Sequence, residues 1–122
     1  MTSLIRICIA TVTALSISAT LSNAADYVQI TKKADFAEIA VDKKLVADWG
    51  WVRAGSDGKV SGKVGGDSVS GTWKWKGRFY CRNITFGDTK KGLGCFAVHV
   101  SGDNIVFIDD KGKGNQVPMK IE

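Results

Sequence analysis

From Leu45 onward, apolar and polar residues alternate with a period of two, the spacing of strands that bury one face. Leu45, Ala47, Trp49 and Trp51 share a face, and Arg53 ends that run. Turn residues with Asp57-Gly58 at their heart follow, then KVSGKV and DSVSGTWKW, separated by Gly65-Gly66. Phe79 to Phe86 reads as a further strand and GDTKKGLG as a polar loop. CFAVHV, IVFID and QVPMKI complete the series, and Pro118 places the last on an edge because it cannot donate to a ladder. One segment breaks the period. Asp35-Phe36-Ala37-Glu38 has the form of a capping box, and Phe36, Ile39, Ala40 and Lys43 fall on one face at helical spacing. Lys43 and Lys44 suit the negative end of the dipole of that short helix. The expectation is a mainly β domain: an antiparallel barrel or sandwich of about seven short strands with one short N-terminal helix.

The run SGTWKWKGRFYCRN concentrates aromatic and basic residues around one glycine. Its faces depend on the turn, because a slip by one residue exchanges them. A two-residue loop at Lys76-Gly77 sets the tryptophans beside Tyr80 and the arginines, as an exposed stacking surface. A three-residue loop, Lys76 to Arg78, pairs Trp75 with Phe79 and Trp73 with Cys81. Burying one aromatic removes roughly 150–250 Å² from water, worth more than a turn preference near 1 kcal/mol. The expectation is therefore the second register. It gives a structural core of Trp49, Trp51, Trp73, Trp75 and Phe79, and leaves Lys74, Tyr80 and Arg82 facing outward.

The chain's start changes where this domain is expected to live. One positive charge, an apolar run from Ile7 to Leu21 punctuated by Ser and Thr, and Ser22-Asn23-Ala24 read as a signal peptide over residues 1–24, removed to leave a single β domain over 25–122. The mature chain has no transmembrane span in this reading and is periplasmic or secreted. Cys81 and Cys95 then meet an oxidising compartment and are expected to form a disulfide. Two cysteines and one histidine fall short of a structural zinc site. The formal net charge of +5 loses one unit with Arg6. That mild excess permits attraction to anionic surfaces, and without a block of like charges it predicts no specific nucleic-acid binding.

The block GTWKWKGRFYCR, with DGKVSGKVGG before it and DDKGKGN after it, resembles a family of small exported alphaproteobacterial proteins. These carry a G-x-W-x-W, glycine turn and aromatic-Cys-Arg block, then a second cysteine and a late D-x-G-x-G loop. The likeness covers most of residues 25–122. Members are mostly uncharacterised and often bear the automatic label dihydrodipicolinate reductase. That chemistry needs a G-x-G-x-x-G turn between strand and helix within a βαβ unit. GDTKKGLG lacks the spacing and leads into strand-like sequence, so the residues do not support the label.

Other chemistry finds little footing. His99 alternates with Val98 and Val100, without a nucleophile nearby in sequence. Asp109, Asp110 and Asn115 in DDKGKGN lack the calcium-loop pattern. With Glu38 and Glu122 the only glutamates and the aspartates mainly in turns, no carboxylate pair for glycoside hydrolysis can be assigned. No catalytic residue, metal ligand or cofactor is assigned. The candidate binding patch is Arg53, Lys74, Tyr80 and Arg82, which together suit an anionic group through charge-assisted or cation–π contacts. The leading expectation is a non-enzymatic envelope protein that binds a protein partner or small anionic ligand on the barrel's outer face or mouth. A lysozyme-inhibitor-like protein is the alternative, and a reductase the third.

Overall fold

A computed structural model describes residues 26–122. The signal-peptide reading of 1–24 lies outside them. The chain forms β1 (Val28–Ile30), helix α1 (Lys33–Ala40), β2 (Leu45–Ala47), β3 (Gly50–Ala54), β4 (Lys59–Val64), β5 (Asp67–Lys76), β6 (Phe79–Phe86), β7 (Thr89–Ser101), β8 (Asn104–Ile108) and β9 (Gln116–Ile121). Each strand from β2 to β9 pairs antiparallel with the next in sequence, and β2 meets β9 to close the ring. The result is an eight-stranded up-and-down barrel. β1 is a ninth strand, added to β7 outside the ring through Val28↔Val100 and Ile30↔Val98. All these pairings are antiparallel, so among the described residues there is no βαβ unit of the kind a dinucleotide-binding reductase uses.

Four hairpins turn on a glycine at the first of two loop positions: Gly65-Gly66, Gly77-Arg78, Gly87-Asp88 and Gly102-Asp103. Those first glycines have φ between 58° and 62°, and the second residues are not left-handed. This is the II′ pattern, whose twist matches that of the flanking strands. Gly77-Arg78 overturns both registers considered for the aromatic ribbon. The strands pair Lys76↔Phe79, Trp75↔Tyr80, Lys74↔Cys81 and Trp73↔Arg82. Residues directly opposite one another share a face, so Tyr80 and Arg82 point inward with the tryptophans while Phe79 and Cys81 point outward.

Two further expectations need correction. The run from Leu45 to Arg53 is two strands, because a tight turn at Asp48-Trp49 pairs Ala47 with Gly50 and Val46 with Trp51. Trp51 and Arg53 consequently lie on the outer face and Val52 and Ala54 on the inner. The polar loop GDTKKGLG is mostly strand: Thr89 pairs with Phe86 and Lys91 with Ile84, and a bulge at Arg82/Ile84 absorbs the irregularity. The capping box is not used. The helix starts earlier, after Lys32, with Asp35 in its first turn, where its charge suits the positive end of the dipole.

α1 closes one end of the barrel. Phe36 and Ala40 are fully buried, and the Phe36 ring lies 5.5 Å from Trp73, 5.2 Å from Trp75, 5.3 Å from Tyr80 and 6.3 Å from Phe107. Trp73 Nε1 donates to Gly55 O at 2.7 Å, which satisfies its one donor beneath the helix. Tyr80 touches Phe36, Trp73, Phe96 and Phe107 and so forms the floor between the stoppered half and the rest of the interior. The turns at Asp48-Trp49, Gly65-Gly66 and Gly87-Asp88 surround the opposite end, which is open, and the loop Asp109–Asn115 folds over the outer wall, where Gly112 lies against Ala97 and Lys111 against Phe79.

Candidate functional site

The open half of the barrel holds a cavity of about 110 Å³ above Tyr80. Its walls are apolar, from Val52 and Val60 round to Phe96 and Met119, with Trp49 at the mouth and Arg82 as the one cation. Eight strands leave an interior just wide enough for packed side chains or one small ligand. At about 110 Å³ the cavity is roughly three-quarters the size of an apolar cavity that accepts a benzene ring, about 150 Å³, and it is open at the mouth.

Arg82 enters this space because of three local features. The II′ turn puts it opposite Trp73 on the inner face. The bulge between Arg82 and Ile84 loosens the wall beside it. Gly94, its partner on β7, has no side chain to block it: a Cβ there would meet Arg82 Nη1 at 3.3 Å, Phe96 at 3.6 Å and Asp109 Oδ1 at 3.7 Å. The guanidinium lies 4.7 Å from the Phe96 ring centre, and Nη1 donates to Gly92 O at 3.4 Å. Of its five N–H donors, one finds a protein acceptor among the described residues. Burial lowers its pKa, while Tyr80 and Asp109 act to raise it; a guanidinium remains charged through the physiological range all the same. Burial likewise pushes the Tyr80 hydroxyl well above its usual value near 10, against the opposing pull of Arg82.

Asp109 stands on the rim, with Oδ1 held by the Asp110 N–H at 2.7 Å. The loop that carries it folds back on itself: Gly114 N–H donates to Asp109 O at 2.8 Å and Asp109 N–H to Asn115 O at 2.9 Å. Asp110 and Lys111 both adopt left-handed conformations, φ 53° and 55°, so this short segment is a left-handed turn rather than a helix. Each such residue costs roughly 1–2 kcal/mol without glycine.

The predicted patch is thus divided. Tyr80 is buried and Arg82 lines the cavity, whereas Arg53 and Lys74 are on the outside. Arg53 stacks over Trp51, 5.3 Å from the ring centre, and its Nε is buried without a partner among the described residues. Lys44 lies over the same ring at 4.9 Å. Lys74 sits opposite Cys81. Arg53 reaches β5 by way of Ser61 and Ser70, four residues from Lys74 and so roughly 13 Å away along the strand. Among the expected core residues, Trp73 is buried and Trp75 half-buried against Phe36. Trp49 is 37% exposed at the mouth, and Trp51 and Phe79 lie on the outer face, where Lys111 covers the Phe79 ring at 5.7 Å. Cys81 and Cys95 are directly opposed on β6 and β7 and joined as a disulfide, adjacent to Arg82 and Gly94.

The sequence reading missed Gly94 and Asp109 as parts of a site and took Trp49 for core. A Gly-X pair between two alternating runs, WKW and FYCR, is the II′ signature that would have brought Arg82 inside. His99 lies on the outer face, opposite Val106 and Gln29. No group of three or more His, Cys, Asp or Glu residues able to hold a metal occurs among the described residues. No helix there is long and apolar enough to cross a membrane. Comparison of the chain with family models, curated proteins and solved structures finds no significant match.

Proposed function

We propose that this is an exported, non-enzymatic binding protein whose site is the open mouth of the barrel, and whose ligand is a small anion with an apolar body. The observation that carries this reading is Arg82: a half-buried guanidinium in an apolar cavity, with most of its donors unspent. Its unpaired donors still reach solvent and so are open to an incoming acceptor, and a bidentate carboxylate is the best-matched one. The cavity takes an apolar body about the size of a six-carbon ring. Asp109 offsets part of the cation's charge and keeps the ligand exchangeable. The Cys81–Cys95 disulfide supports an oxidising location.

Calorimetric titration with benzoate and with hexanoate tests the proposal. Dissociation constants on the order of 0.1–1 mM are expected for ligands of this size. Arg82→Gln should weaken both at least about tenfold, the scale of a charge-assisted bond. No saturable binding of either acid by the wild-type protein, or equal binding by Arg82→Gln, would sink the reading.

A further inference from the structure

The ring of strands has a seam. β9 keeps its ladder with β8 from Ile108↔Gln116 to Asn104↔Lys120, but its ladder with β2 has only two registered pairs, Leu45↔Ile121 and Val46↔Lys120. β2 stops at Ala47 and turns away at Asp48-Trp49. The β2-facing edge of β9 before Lys120 is therefore unpaired. Pro118 falls within this stretch, where its missing N–H leaves no ladder bond unmade. An open groove of about 520 Å³ lies along the outer wall here. Trp49, Val117 and Met119 line both the groove and the interior cavity, so those three side chains alone stand between the two spaces.

Arg82 and the seam are on opposite walls. Going round the ring, β6 is three strands from β9 by way of β7 and β8, and four from β2 by way of β5, β4 and β3. An anion held at Arg82 thus points its apolar body across the mouth toward Trp49 and the groove. A compact ring ends within the cavity. A straight chain continues into the seam, where Ala47, Val117 and Pro118 supply an apolar lining.

Building on the reading of Arg82 as the anion receptor, we propose that the ligand class is straight-chain carboxylic acids. The carboxylate sits on Arg82, and the tail crosses the mouth and leaves through the β2–β9 seam past Trp49. The charge of Arg82 fixes the head, and the three side chains shared by cavity and groove, with no ladder between β2 and β9 behind them, fix the direction of the tail.

The test is a chain-length series, hexanoate, octanoate and decanoate, below their micellar concentrations, with benzoate as the compact control. Affinity should rise about fourfold per added methylene beyond hexanoate, the factor for burying one CH₂. Ala47→Leu fills the groove from β2; it should abolish that rise and leave benzoate binding unchanged, which also shows that the variant is folded. Independently, decanoate brominated at its last carbon should quench tryptophan fluorescence in the wild-type protein, and Trp49→Phe should remove that quenching. A flat series with benzoate still bound in an Arg82-dependent manner overturns the seam and leaves the cavity reading standing. So does a rise that persists in Ala47→Leu or quenching that persists in Trp49→Phe. Loss of all acid binding in the wild-type protein overturns both.

Discussion

Arg82 and its neighbour across the ladder, Gly94, give the site its sharpest residue-level test. Gly94 is not in a left-handed conformation, so Gly94→Ala costs no backbone strain and restricts the unfolded chain, a gain of about 0.4–1 kcal/mol. The same methyl group encroaches on Nη1, so acid binding should weaken while the melting temperature holds or rises. A joint loss of binding and stability would show that Gly94 serves packing instead. Asp109→Asn removes the anion beside Arg82 and should tighten carboxylate binding several-fold in calorimetry. Tyr80 yields a pH prediction. Its pKa is raised in the folded state, so above the usual value near 10 the unfolded chain releases a proton that the folded one keeps. Stability then falls as pH rises through that range. Tyr80→Phe should show a shallower alkaline decline in denaturant titrations at pH 9 and 11. These roles were hard to see in the chain itself, because alternation says that Tyr80 and Arg82 share a face, and only the turn says which one.

At the scale of elements, the barrel closes by tight approach of neighbouring backbones. At Gly62 on β4, φ is +151°, and a Cβ would run into the carbonyl of Trp51 on β3. At Gly71 on β5, it would run into the carbonyl of Asn83 on β6. Glycine inside a strand marks such approaches and lets the sheet coil. Gly62→Ala should cost at least about 2 kcal/mol from strain alone, whereas Gly92→Ala meets open space and should stay within about 0.5 kcal/mol. Chemical denaturation of the two variants measures the contrast. The same scale shows what alternation could reveal. The strand-rich antiparallel architecture, the Phe36 face of the helix and the Gly65-Gly66 hairpin were legible, since each has a local pattern. β1 was not, because three residues are too few to show a period, and β2 was read as one strand with β3, because the alternation runs on across the turn at Asp48-Trp49. Thr89 to Gly94 was hidden by lysines and glycines that line the far end of a 13-residue strand.

For the molecule as a whole, two devices hold the ring, one covalent and one not. The Cys81–Cys95 disulfide closes a loop with a sequence separation of 14 and staples β6 to β7. Such a loop contributes about 3 kcal/mol in the chain-entropy argument. The double variant Cys81→Ser/Cys95→Ser should therefore melt about 12–20 °C lower, read by circular dichroism. The seam has no staple. Besides its two registered pairs, it is held by Glu122 N–H on Lys44 O at 2.9 Å. Closure is thus reserved for residues 120–122, which join β2 across more than seventy intervening positions. A chain that emerges from its N-terminus, from a ribosome or through a narrow channel, must wait as an unclosed ribbon until that last strand arrives. Contacts so remote in sequence form late and set a slow pace. Refolding followed by pulsed hydrogen exchange should accordingly protect β5 and β6 well before β2 and β9.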